Sequence, residues 1–164
     1  GGGGQAGGGG AATRRVGRGF TGGGGRRVLL GLKYGTGEAR HRGARSAEFL
    51  RDESYAGSAE LAQEKGAFPL FDAKQFLAAP RFASRLPENL KRDIRTHGLR
   101  NSHLLSIAPT GTISLAFADN AANGIEPPDS WTDQRKKREA DGAPKVYAHK
   151  GQPRRAYIHR GGDA

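Results

Sequence analysis

Leu104, Leu105, Ile107 and Ala108 form a short apolar run of the length a buried strand requires, and Pro109 stops it because proline has no N–H to give a sheet ladder. The turn Pro109-Thr110-Gly111-Thr112 follows. Beyond it, Ile113, Ala116 and Phe117 fall at i, i+3 and i+4, so residues 113–120 read as the start of a helix. A strand that passes through a four-residue turn into a helix leaves α/β and α+β architectures open and excludes most others. Glycine at position 111 admits a positive φ and a close approach of backbone to ligand, while Thr110, Thr112 and Ser114 supply hydroxyl donors. A helix N-terminus carries roughly half a positive charge, so such a turn suits an oxyanion without any lysine. It is not a Walker A loop, which ends in Gly-Lys-Ser/Thr, so ATPase chemistry is not indicated. Taken alone, the tetrapeptide also fits a capped turn that binds nothing.

The surrounding residues carry more. Residues 101–128 read Asn-Ser-His-Leu-Leu-Ser-Ile-Ala-Pro-Thr-Gly-Thr-Ile-Ser-Leu-Ala-Phe-Ala-Asp-Asn-Ala-Ala-Asn-Gly-Ile-Glu-Pro-Pro. Upstream stand Glu60-Leu61-Ala62-Gln63-Glu64-Lys65-Gly66-Ala67-Phe68-Pro69-Leu70-Phe71-Asp72 and Phe82-Ala83-Ser84-Arg85-Leu86-Pro87, and downstream Ser130-Trp131-Thr132 with Arg135-Lys136-Lys137-Arg138. Together these resemble the C-terminal portion of the catalytic barrel of ribonucleotide reductases, most closely the class II, adenosylcobalamin-dependent branch, over residues 29–147. The resemblance implies an α/β fold, a fragment of the ten-stranded α/β barrel that this family builds from two five-stranded halves. It also implies that Pro109, Thr110, Gly111, Thr112 and Ile113 hold the diphosphate of a ribonucleotide substrate, in agreement with the oxyanion reading of the turn. The parent enzyme would convert ribonucleotides to deoxyribonucleotides for DNA synthesis. Its cofactor would be adenosylcobalamin, whose binding region is not in this chain. Its partners would be the missing part of the enzyme and a second copy in a homodimer.

The chain contains no cysteine. Reductases of this family use a thiyl radical and a cysteine pair, and no hydroxyl or carboxyl group replaces a reversible disulfide. No catalytic residue is therefore assigned, and the chain alone is expected to be inactive. It reads as a fragment of a vitamin B12-dependent reductase, with a non-catalytic nucleotide- or phosphate-binding remnant as the alternative.

Residues 1–26 hold fourteen glycines with Arg14, Arg15, Arg18 and Arg26 among them. Such a stretch buries too little surface to offset its conformational entropy, so residues 1–27 are expected to be a disordered arm, residues 28–147 the partial barrel domain, and residues 148–164 a disordered basic tail. Gly19-Phe20-Thr21 runs into four further glycines before Val28-Leu29-Leu30-Gly31-Leu32 resumes the likeness, which reads as an altered frame or a degraded gene start. The formal charge of +11 raises a second alternative, nonspecific nucleic-acid binding through the Gly/Arg-rich arm. Stacking platforms need interleaved aromatics, however, and only Phe20 precedes Tyr34, so nucleic acid is the weaker reading.

Elsewhere the pattern is structural. A helix is predicted over residues 44–65 with Gly66 as its stop, and a second over 87–97 ending at Gly98. A hairpin is predicted around Asp141-Gly142, with Arg135-Lys136-Lys137-Arg138 on a solvated strand. His41, His97, His103, His149 and His159 lack the spacing of a zinc site, so no metal is predicted. Asp119 and Glu126 are read as turn residues rather than an acid–base pair. With no bilayer-length apolar stretch and no secretory signal pattern, no membrane partner and a cytoplasmic setting are expected.

Overall fold

A computed structural model of the chain describes residues 9–116, 124–127, 132–138, 142, 144–150 and 152–161. Its helices are α1, of which residues 9–13 are described, α2 (Gly23–Leu29), α3 (Gly37–Lys65), α4 (Ala73–Phe76), α5 (Glu88–His97), α6 (Gly111–Ala116) and α7 (Gln152–His159). A 3-10 turn spans Phe82–Arg85, and two strands, β1 (Thr132–Arg138) and β2 (Pro144–Lys150), complete the order. The chain divides into two units, Gly1–Gly19 with Ala44–Ser106, and Phe20–Gly43 with Ile107–Ala164.

The first unit holds the main core. Along α3, Tyr55, Ala59 and Ala62 are buried at helical spacing, and Tyr55 and Ala59 pack in a cluster with Phe68, Ala83, Leu86, Leu90, Ile94, Leu99 and Leu104. Gly66 ends α3 in the left-handed region at φ 78°. The Arg100 guanidinium donates to the carbonyls of Lys65 and Gly66 at 2.6 and 3.0 Å, satisfying acceptors that the helix end leaves over. Helix α5 follows Pro87 as predicted, buries Leu90 and Ile94, and gives way to Gly98 at φ 77°. Buried Ser58 ties α3 to the segment that follows α5: its carbonyl accepts from the Arg100 amide at 3.0 Å and its hydroxyl oxygen from the Asn101 amide at 3.2 Å.

Within the glycine-rich segment, the described residues 9–27 depart from the expectation of disorder. Residues 16–18 lie parallel to residues 103–106: the Val16 amide donates to the His103 carbonyl (3.0 Å), Arg18 to Leu104 (2.8 Å) and Ser106 to Arg18 (2.9 Å). The physical reason is close approach. A Cβ at Gly17 would stand 2.8 Å from the Ser106 hydroxyl oxygen, and one at Gly19 would stand 2.5 Å from the Ser106 carbonyl oxygen. Glycine here admits a neighbouring chain that any side chain would push away. The tail likewise carries α7 where disorder was expected.

The predicted strand at 104–108 is reduced to one bridge, Arg18 with Leu105. A barrel strand needs a neighbour at each edge, and the ladder here shows one, so the ten-stranded α/β barrel is not seen among the described residues, which are mostly helical.

In the second unit, β1 and β2 pair antiparallel with Arg135 opposite Tyr147 and Lys137 opposite Lys145, forming the predicted hairpin. Gly142, at φ 81°, lies in its connection, while Asp141 lies outside the described residues. Helix α3 starts at Gly37, about two turns earlier than its sequence pattern suggested, and Thr36 caps it: the Thr36 hydroxyl oxygen accepts from the Ala39 amide at 3.2 Å. Among the described residues, no helix is long and apolar enough to cross a membrane.

Candidate functional site

The turn singled out in the sequence lies in the second unit. Pro109, Thr112 and Ile113 are exposed, and Thr110 and Gly111 are half-buried. Residues 111–116 become helical, while Phe117, Asp119, Asn120 and Asn123 lie outside the described residues. One expectation is corrected. Gly111 was to supply the positive φ, but it is the first residue of α6, and Thr110 takes the left-handed conformation at φ 52°. Pro109 fixes its own φ near −65°, and a helix beginning at position 111 demands right-handed geometry there, so the reversal falls on the residue between. Glycine at 111 still leaves room, since a Cβ there would meet nothing within 4 Å. Helix α6 has only six residues, and Thr110 and Gly111 are both engaged within the chain, so its macrodipole does not by itself make an anion site.

The loop is seated on a second stretch, residues 124–127. Gly124 is buried, and a Cβ placed on it would stand 3.0 Å from the Ala108 carbonyl oxygen and 3.9 Å from that of Pro109. The Gly124 amide donates to both carboxylate oxygens of Glu126, at 2.9 and 3.0 Å, which agrees with a turn role for that residue. The Gly124 carbonyl accepts from the Gly23 amide at 2.7 Å. Sequence reasoning missed the side chains behind this stretch. Arg27 and Tyr34 both donate to the Ile125 carbonyl, at 3.3 and 3.2 Å, and the Arg27 guanidinium lies 4.7 Å from the centre of the Tyr34 ring. The only signal available was the turn-rich Asn-Gly-Ile-Glu-Pro stretch, read there as supporting architecture.

Among the described residues no group of three His, Asp or Glu side chains could hold a metal ion. His103 instead shares a 2.9 Å hydrogen bond between its Nδ1 and the Ser102 hydroxyl. In the first unit, two open cavities measure about 430 and 380 Å³, the smaller walled by Tyr55, Phe76 and Phe82. These volumes suit small ligands. Neither of these two cavities has the volume for a corrin ring with its side chains and nucleotide tail.

A family model described as "Ribonucleotide reductase, barrel domain" matches residues 5–150. The chain is 35% identical over 113 residues to the ribonucleoside-diphosphate reductase 1 subunit alpha of Salmonella typhimurium, a match covering 60% of this chain and 15% of that protein. It is 33% identical over 114 residues to the vitamin B12-dependent ribonucleoside-diphosphate reductase of Mycobacterium tuberculosis, covering 70% of this chain and 14% of the relative. The B12-dependent enzyme of Thermoplasma acidophilum is 32% identical over 114 residues, with 12% of its length covered. The chain thus spans about a seventh of the length of these relatives, and the likeness takes in reductases named as B12-dependent and others that are not, so it does not single out class II.

Proposed function

This chain belongs to the ribonucleotide reductase barrel-domain family, and on that premise we propose that its loop at residues 109–113 grips the phosphates of a ribonucleoside diphosphate. The single observation that carries the reading is that the family match runs from residue 5 to residue 150 and so includes the loop. The proposed roles are local. The hydroxyls of Thr110 and Thr112 donate to phosphate oxygens, Gly111 lets the backbone approach, and Pro109 and Ile113 fix the ends of the loop. The relatives' names specify ribonucleoside diphosphates, which favours a diphosphate over a triphosphate as the ligand.

Reduction itself is assigned to other polypeptide, because this chain has no cysteine to carry a thiyl radical or a dithiol. We propose a parent in the B12-dependent branch, after which two of the relatives above are named. A cytoplasmic setting, where deoxyribonucleotides are made for DNA synthesis, belongs to the same proposal. Nucleic-acid binding by the arm is disfavoured because residues 16–18 are paired with 103–106 and the Arg14 guanidinium donates to the Ala67 carbonyl at 3.0 Å.

Titration of the full chain with a ribonucleoside diphosphate, followed calorimetrically, tests the loop. Gly111→Val is the informative variant, since the space beside Gly111 is open within the protein and the added side chain falls where a phosphate would approach. Saturable binding to the native chain that disappears in the valine variant is expected. Binding that survives the valine overturns the assignment.

A further inference from the structure

We infer that Arg27 and Tyr34 are positioning residues that latch the phosphate loop through Gly124 and Ile125, an inference that rests on the reading of the loop proposed above. It starts from strain. Thr110 sits at φ 52°, a conformation that a β-branched side chain rarely adopts. Strained backbone persists where its surroundings over-determine it. The surroundings of Thr110 include Ala108, whose carbonyl oxygen would stand 3.0 Å from a Cβ placed on Gly124.

Gly124 is held in turn from α2. The Gly23 amide reaches its carbonyl at 2.7 Å, and a Cβ on Gly23 would come within 3.2 Å of both the Gly124 oxygen and the Ile125 Cα. Two side chains then converge on the next carbonyl. Arg27 donates to Ile125 at 3.3 Å and, through the same nitrogen, to the Gly23 carbonyl at 3.3 Å, while Tyr34 donates to Ile125 at 3.2 Å. Each of these bonds is long, and alone each would hold little. The guanidinium over the Tyr34 ring at 4.7 Å fixes the two donors against each other, so they act as one clamp on residues 124–125. The path runs from Arg27 and Tyr34 to Ile125, from Ile125 through Gly124 to the close approach of Ala108, and from there along the backbone to Thr110. Neither side chain is assigned a contact with the ligand.

Pyrophosphate affinity of the full chain, measured by calorimetry alongside the melting temperature, tests the latch. Arg27→Ala is expected to weaken binding about five-fold, the loss of one or two modest hydrogen bonds, and Tyr34→Phe, which keeps the ring, about two- to three-fold. Arg27→Lys keeps a cation over the ring and should recover part of the loss. The readout that separates positioning from plain stabilisation is a double-mutant cycle with Thr110→Gly, since glycine takes the left-handed turn without being held in it. Arg27→Ala should cost affinity beside Thr110 and almost none beside Gly at that position. Equal losses in both backgrounds, or unchanged affinity in a folded Arg27→Ala chain, overturn the latch and leave the loop reading intact. A native chain that takes up no pyrophosphate overturns both. Should Arg27→Ala fail to fold, Tyr34→Phe carries the same cycle.

Discussion

Gly19→Ala is expected to destabilise the chain by about 2 kcal/mol, and the size follows from what a methyl group meets there. The added Cβ would lie 2.5 Å from the Ser106 carbonyl oxygen, a backbone atom that cannot swing aside as a side-chain tip would. The two segments must separate, and the bonds nearest the contact are Ser106 amide to Arg18 carbonyl (2.9 Å) and Arg18 amide to Leu104 carbonyl (2.8 Å). Each contributes about 1 kcal/mol net, so losing both costs about 2, with about 3 as the ceiling if the Val16 bond to His103 is lost as well. A disordered arm predicts no change, because alanine then reduces the freedom of the folded and the unfolded chain alike. Urea denaturation followed by circular dichroism separates these outcomes through the transition midpoint at constant slope. Gly10→Ala is the control, since a Cβ there meets nothing within 4 Å. A Gly19→Ala midpoint equal to or above the native one would refute the pairing of residues 16–18 with 103–106.

Gly57, inside α3 with open space where a Cβ would go, should behave in the contrary way: Gly57→Ala is expected to stabilise by about 0.5–1 kcal/mol in the same urea experiment, and a lower midpoint would count against a continuous α3. At the start of α5, hydrogen bonds from Lys91 and Arg95, followed by their charges, lower the exposed Glu88 carboxyl from 4.5 to about 2. A carboxyl lowered on folding stabilises above its unfolded value, and that contribution is lost as pH falls from about 4.5 through about 2. Glu88→Gln should therefore melt slightly below the native chain at pH 7, with the gap closing toward pH 2; a gap that stays constant with pH would contradict the ion pairs.

Local signals were legible in the sequence and distant ones were not. Gly66 and Gly98 marked the ends of α3 and α5 because a helix stop is written in the residues that make it. The hairpin at Gly142 followed from turn chemistry flanked by two extended runs. The partner of residues 103–106 could not be read the same way, since a run of glycines looks alike whether it is solvated or chosen for close contact, and Ser106 is what distinguishes the two. At the site, the left-handed residue was assigned to Gly111 instead of Thr110, because propensity favours glycine and the helix start at 111 prevailed over it. Arg27 and Tyr34 gave no signal, as their common target is a main-chain oxygen about ninety positions away.

That last kind of distance has a consequence for how the molecule is made. The Arg14 carbonyl accepts from Asn101, 87 residues further along, and the pairing of 16–18 with 103–106 lies immediately beside that bond. A ribosome adding roughly 5–20 residues each second releases residues 16–18 roughly 4–17 s before their complement exists. Throughout that interval a glycine-lined ribbon waits with its amides wet, and it is shielded only once residues 103–106 have been made.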